Sequence, residues 1–170
     1  MAAPVSTDSV WRALGENAFA VLSWVTPKGE ARSAGIVYLV KGRKLIIGTE
    51  SDSWKARQIR ANPHVSITAV FKRRIFFLPW IAIPDATIIF RGRARVIEPK
   101  DIDQQILHEL EQGMEPDPER NANTCFVEIT PAGDFLTYGI DVPAAAMGDP
   151  QKAMGRVAVS SGGVSDAKPG

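Results

Sequence analysis

The chain has 170 residues, 45% of them hydrophobic and 23% charged, which is enough for one globular domain with an apolar core. The formal net charge of +1 gives no strong field that would favour nucleic acid or an anionic membrane as a partner. A single cysteine, Cys125, excludes an internal disulfide framework, and the N-terminal segment lacks the basic and apolar pattern of a signal peptide. We therefore expect a cytoplasmic protein with no nucleic-acid partner and no transmembrane segment.

Short apolar runs separated by turn residues predict a mainly β domain with three short helices. The first helix begins at Thr7 or Asp8 and ends at Gly15, the second spans 53–61, and the third begins at Pro99 and ends at Gly113. The predicted strands are 19–26, 31–40, 44–49, 64–71, 87–98, 125–130 and 135–140, the last two joined by a turn at Pro131-Ala132-Gly133-Asp134.

The connections between these strands are too short for a parallel doubly wound sheet, so the pairing is mostly antiparallel. We expect a small, closed or partly closed barrel of about six to seven strands. This domain covers 1–142, and 143–170 forms an Ala-, Gly- and Ser-rich extension whose end is mobile.

The segment 72–84 carries the basic triplet Lys72-Arg73-Arg74 and then an apolar run with prolines at Pro79 and Pro84. The prolines prevent a central strand or a continuous helix, which favours an extended hairpin or flap. Such a flap could cover a cofactor or substrate or contact a membrane surface, but packing across a subunit interface is the favoured interpretation.

Hydroxyl side chains and two cations cluster where strand 44–49 leads into helix 53–61. Thr49, Ser51 and Ser53 precede the helix, and Lys55 and Arg57 lie in its first turns. Free backbone amides, hydroxyls and cations at a helix N-terminus bind phosphate well. Taken alone, the same residues are more often ordinary N-caps and solvated cations. The order of the surrounding elements is what favours a phosphate site.

Arg91, Arg93 and Arg95 alternate with small residues along strand 87–98 and therefore share one face. A row of this kind is usually solvated, although it could also meet an anionic ligand tail.

Motifs for hydrolysis, phosphoryl transfer and metal binding are missing from the sequence. His64 and His108 stand alone, and Cys125 lies in a strand pattern typical of a buried, inert thiol. The chain has neither a nucleophile elbow nor a glycine-rich phosphate loop. A reaction whose chemistry is carried by a cofactor needs none of these residues.

The element order and one motif resemble the split-barrel flavoproteins related to pyridoxamine 5′-phosphate oxidase and their deazaflavin-dependent actinobacterial relatives. The motif is Thr49-Glu50-Ser51-Asp52-Ser53-Trp54-Lys55, followed by Asn62-Pro63-His64-Val65, and the resemblance covers about 19–138. It implies an FMN-binding-like split barrel that forms a homodimer with cofactor sites at the interface.

The resemblance also implies a set of cofactor-binding residues. Thr49 would lie beside the isoalloxazine and ribityl groups, Ser53 and Lys55 would hold the phosphate, and Trp54 stands where the oxidases have another basic residue. The implied contacts on the second strand are Ser33, Gly35, Ile36 and Val37, and those at the helix start are Thr49, Ser51, Ser53, Trp54, Lys55 and Arg57. Two features of the oxidases are missing from this chain. The position of their phosphate-binding arginine on the second strand corresponds to about Gly35 here, and their C-terminal Trp and Arg pattern is absent.

The resemblance therefore implies an oxidoreductase that uses FMN or a deazaflavin to transfer hydride to or from a small organic substrate. The two cofactors remain open, because the oligoglutamate tail of the deazaflavin needs a basic groove that Arg57, Arg91, Arg93 and the triplet Lys72-Arg73-Arg74 could supply. A non-catalytic carrier or ligand-sequestering protein is the alternative. A haem-binding barrel is disfavoured because neither histidine is well placed as an axial ligand.

Overall fold

The computed structural model describes residues 5–73, 83–111 and 123–160. The strands are β1 (Phe19–Val25), β2 (Ala31–Val37), β3 (Leu39–Lys41), β4 (Lys44–Glu50), β5 (His64–Phe71), β6 (Ala86–Ile97), β7 (Thr124–Tyr138) and β8 (Met154–Ala158). The helices are α1 (Thr7–Gly15), α2 (Trp54–Ala61), α3 (Gln104–Glu111) and α4 (Pro150–Ala153), with 3₁₀ turns at Pro99–Asp101 and Ala144–Ala146. In these three ranges no helix is long and apolar enough to cross a membrane. Most of the expected flap, the expected helix end at Gly113 and 161–170 lie outside the described residues.

The strands form one antiparallel sheet that curls into a barrel. Its order is β2-β1-β5-β6-β7-β4-β3, and β8 pairs with β7. Because only Tyr38 separates β2 from β3, both ends of this order belong to one continuous stretch of chain. The Tyr38 amide donates to the carbonyl oxygen of Ala18 at 2.9 Å, and its hydroxyl donates to that of Leu14 at 3.0 Å. The mainly β, split-barrel prediction is confirmed.

The count of six to seven strands is wrong, since the described residues form eight. The predicted strand 31–40 divides at Tyr38, where its pairing changes from β1 to β4. The predicted strands 125–130 and 135–140 are one strand, β7. Strand β8 lies in the region expected to be an extension, and it pairs with β7 from Asp134 to Tyr138.

Where the sequence predicts a hairpin turn, β7 continues as a strand: Pro131 pairs with Gly92 of β6, and Gly133 lies in the bulge that follows. One edge of β7 pairs with β6. The other edge pairs with β4 over 124–129 and with β8 over 134–138, so residues 130–133 have no strand partner on that edge among the described residues. Proline is tolerated at such a free edge because it has no amide to donate. Gly133 has a φ of +77°, and the register between β6 and β7 shifts between Ile89 and Arg91.

The barrel interior is filled by the alternate side chains of β1, β5, β6 and β7 and is closed at one end by α1. Helix α1 begins with a capping box between Ser6 and Ser9, and its Trp11 packs edge-on against Phe135 with ring centroids 5.5 Å apart. A second apolar cluster joins Ile46, Ile102 and Phe126.

The opposite surface of β1, β2, β5, β6, β8 and the adjoining half of β7, which we call the outer face, carries several exposed apolar side chains. They are Phe19, Val25, Val37, Val70, Ile89, Leu136 and Met154. The registers place Phe19 opposite Val37, and Ile89 opposite Leu136, so these four side chains form two apolar cross-strand pairs on the outer face.

Candidate functional site

Helix α2 begins directly after β4, and its N-terminus has unused backbone donors. Ser53 is the N-cap, and its hydroxyl accepts from the Ala56 amide at 3.2 Å. Thr49 Oγ1 lies 3.4 Å from Ser53 Oγ. The first-turn amides of Trp54 and Lys55 have no partner inside the helix, and no described residue accepts from them. They are therefore free to bind an anion.

Lys55 and Arg57 bring positive charge to this helix start. The first turn of α2 has no acidic residue, and neither cation forms an ion pair with a described carboxylate. Arg60, in contrast, binds Glu98 at 2.9 Å. Glu50 at the end of β4 and Asp52 in the following loop are exposed, so they reduce the positive potential of the helix N-terminus only weakly. We call Thr49, Ser53, Lys55 and the amides of Trp54 and Lys55 the phosphate seat.

Trp54 provides an aromatic wall beside the phosphate seat. Its side chain is 48% exposed, and its ring lies 5.1 Å from that of Trp24 at an interplanar angle of 41°. Trp24 is buried and donates from Nε1 to Oε1 of Gln58 at 2.7 Å, which fixes the ring. An exposed indole held in this way can stack on a planar ligand.

The predicted residues of β2 lie on two different faces. Ser33, Gly35 and Val37 lie on the outer face, whereas the Ile36 side chain is buried in the core and can offer a ligand only its backbone. The Phe19 ring covers Gly35 so closely that a Cβ there would lie 3.0 Å from Phe19 Cε2. An arginine at Gly35, as in the oxidases, would displace this ring.

The structure thus brings Thr49, Ser53, Trp54 and Lys55 together, while the β2 residues form a separate group. No hydrogen bond or ring contact in the described part of the chain joins the two groups. Ser51 lies in the loop before α2, where its amide donates to the Asn123 carbonyl oxygen at 2.8 Å and ties the loop to the start of β7.

The cations considered for an anionic tail lie on different elements. Arg57 is exposed on α2, while Arg91 and Arg93 are exposed on the outer face of β6, which confirms that the arginine row shares one face. Lys72 and Arg73 follow β5, and Arg74 lies outside the described residues.

A cavity of about 330 Å³ opens at the β6–β7 bulge, and sequence reasoning singled out only Arg91 of its lining residues. Ser66, Ile89, Gly133, Leu136 and Arg156 also line it. A proline and a glycine two residues apart within a strand pattern are also typical of a bulge, and this signal could have located the cavity.

Among the described residues no acid–base residue stands out near the phosphate seat, and the adjoining carboxylates of Glu50 and Asp52 are exposed to solvent. His64 and His108 are exposed, and the described residues include no cluster of His, Cys, Asp or Glu able to hold a metal ion. Cys125 is buried, as expected, and burial raises the pKa of its thiol, opposed by a hydrogen bond with Ser51. The thiol is therefore a poor nucleophile at neutral pH.

Comparison with known proteins finds one family model, described as pyridoxamine 5′-phosphate oxidase, which matches residues 7–135. Among solved structures, an F420 reductase is 18% identical with a TM-score of 0.54, covering 73% of this chain and 94% of that one. A FAD-binding protein from Mesorhizobium loti is 17% identical with a TM-score of 0.52, covering 71% of this chain and 85% of that one. A haem-binding protein from Mycobacterium smegmatis is 10% identical with a TM-score of 0.64, covering 94% of this chain and 60% of that one. No curated protein matches in sequence.

Proposed function

The chain belongs to the pyridoxamine 5′-phosphate oxidase family, and from that premise we propose that it is an oxidoreductase that uses FMN or a deazaflavin to transfer hydride to or from a small organic substrate. The observation that carries this proposal is the phosphate seat, where two unpaired amides and Lys55 meet at the start of α2. The F420-linked and FAD-binding proteins of similar fold support the choice of a flavin-type cofactor.

The protein's own part in such a reaction is to hold and orient. The amides of Trp54 and Lys55 and the Lys55 ammonium would bind the phosphate, and Thr49 would contact the group next to it. The exposed ring of Trp54 offers a stacking surface and would shield one side of the bound cofactor from water. A flavin or deazaflavin, when bound, would supply the hydride chemistry, so the described residues of the seat need only bind and orient it.

The proposed active form is a homodimer that pairs through the outer face. In a single chain Val37 and Met154 are each 68% exposed and Phe19 is 51% exposed, a large apolar area to leave in water. Ser33, Gly35 and Val37 lie on this face. A second copy would cover this face. If the cofactor lies at the interface between the two copies, as the family resemblance implies, the β2 residues would contact it only in the dimer.

The proposal is tested by absorbance and fluorescence titration of the purified protein with FMN and, separately, with the deazaflavin coenzyme. Replacing Lys55 by alanine removes one charge-assisted contact to phosphate, so we expect binding to weaken by about 1–3 kcal/mol. Lys28→Ala is the control, because Lys28 is an exposed lysine in the β1–β2 turn. Its affinity should equal that of the wild type, and an equal loss in both variants would overturn the phosphate seat.

The two titrations also separate the cofactors. Preference for the deazaflavin would assign the exposed arginines to its anionic tail, preference for FMN would leave them as a solvated row, and binding of neither would overturn the proposal. Turnover of the reduced cofactor with an acceptor separates an enzyme from a carrier. A haem titration with a Soret shift would instead favour the haem-binding alternative.

Since the one cysteine is a free, buried thiol, we place the activity in a reducing compartment such as the cytoplasm.

A further inference from the structure

We propose that Arg60 is a positioning residue, which holds the loop before α2 (residues 51–53) in the conformation that presents the phosphate seat to a ligand. Arg60 lies in the last turn of α2 and is not itself part of the seat. This inference rests on the proposed function, because it concerns how the same site is held in place.

The position of Arg60 on α2 directs its side chain back along the helix. Arg60 lies seven residues after the N-cap Ser53, about two helical turns, so the two residues share one face of the helix. Side chains of an α-helix lean towards its N-terminus. The guanidinium group thereby reaches the loop before the helix, where its Nη1 donates to the Ser51 carbonyl oxygen at 3.0 Å.

Glu98 binds the other arm of the guanidinium group. This residue directly follows β6, and its Oε1 accepts from Nη2 of Arg60 at 2.9 Å. Each arm of the planar group therefore has its own acceptor, which fixes the orientation of the group more firmly than a single contact would. Through Arg60, the end of β6 is connected to the loop before α2.

The contacts of this loop determine where the donors of the phosphate seat lie. The Ser51 amide donates to the Asn123 carbonyl oxygen at 2.8 Å, and the Ser51 carbonyl oxygen accepts from Arg60, so this residue is held through both of its backbone polar groups. Ser53 follows two residues later, with its Oγ 3.4 Å from Thr49 Oγ1, and the free amides of the seat come directly after it. Without the Arg60 contact these groups would move more freely, and a phosphate would have to order them on binding.

The test separates this positioning role from the charge of Arg60. Arg60→Lys keeps the charge, but an ammonium group lacks the planar fork that binds Ser51 and Glu98 together. In the cofactor-free full chain we expect hydrogen exchange of the Ser51 amide to become about fivefold faster, the scale of one ordinary hydrogen bond. FMN should for the same reason bind about fivefold more weakly, whereas riboflavin, which lacks the phosphate, should bind with unchanged affinity.

Arg12→Lys is the matched control, because Arg12 also lies in the last turn of a helix and pairs with a carboxylate, that of Asp141, at 3.6 Å. This variant should match the wild type in all three measurements. Wild-type exchange and wild-type FMN affinity in Arg60→Lys would overturn the proposal, since charge alone would then suffice. Equal losses of affinity for FMN and riboflavin would overturn it in favour of a general structural role.

Failure of the proposed function would give a different result. A wild type that binds neither FMN nor the deazaflavin coenzyme would overturn the proposed function, but hydrogen exchange at Ser51 would still report on Arg60. Faster exchange in Arg60→Lys would then support its hold on the loop, and unchanged exchange would overturn it.

Discussion

Among single residues, Tyr38 combines a special position with a perturbed ionisation. Its side chain is 1% exposed, and burial raises the pKa of its phenol from 10.0 to about 12, opposed in part by a hydrogen bond with Asn17. The folded chain therefore keeps the phenolic proton at pH values where the unfolded chain has lost it. This contribution to stability is fully present below about pH 10 and is lost as the pH rises towards 12.

We predict that Tyr38→Phe lowers the free energy of unfolding by about 1 kcal/mol at neutral pH, because the hydrogen bond to Leu14 is lost. The gap between wild type and variant, meaning the difference in their free energies of unfolding, should then shrink as the pH rises from about 10 to 12, since only the wild type has this buried phenol to ionise. Urea unfolding of both proteins across this pH range measures the gap. A gap that stays constant with pH would contradict the assignment.

The residue-level predictions were best where local chemistry decides the structure. Ser53 as N-cap follows from the preference of serine for this position. The burial of Ile36 and the packing of Trp54 on Trp24 depend on which strands pair and where α2 lies, and no local pattern carries that information.

At the level of elements, β7 shows how a neighbouring strand can override a turn signal. Pro131 and Gly133 are typical of a hairpin turn, but β6 is twelve residues long and pairs with β7 on both sides of the bulge. Strand β8 was not predicted, because Met154–Ala158 is only five residues long, contains Gly155 and Arg156, and is stabilised by the edge of β7.

The close contact of β6 with β7 makes a testable difference between two strand glycines. A Cβ on Gly92 would lie 2.7 Å from the Thr130 carbonyl oxygen, so Gly92→Ala should lower the free energy of unfolding by about 1–3 kcal/mol. Gly48 in β4 is the matched control, since its nearest contact would be Phe126 Cε1 at 3.9 Å. Gly48→Ala should leave stability unchanged or raise it by up to about 1 kcal/mol. Denaturant unfolding measures both, and equal losses would contradict the packing argument.

At the level of the whole molecule, the outer face determines the expected assembly. Val37 is 68% exposed in the single chain, so Val37→Glu should leave the fold intact while placing a charge in the proposed dimer interface. We predict that the wild type is a dimer in sedimentation velocity experiments and that this variant is shifted towards monomer. Ala145→Glu, an exposed alanine in a 3₁₀ turn off the outer face, should remain a dimer. A monomeric wild type, or a variant that dimerises as well as the wild type, would contradict the proposed assembly.

The continuity of β2 and β3 through Tyr38 has a consequence for how the chain reaches its native state. The last ladder needed to close the barrel is β4 with β7, and it joins Leu45 to Ile129, far apart in the sequence. Bringing such distant segments together costs chain entropy before any contact repays it. The hairpin of β1 and β2 has only a short turn to close and can form first. On this argument we expect the longest-range pairing to form last, and until then the facing edges of β4 and β7 are open to pairing with other chains.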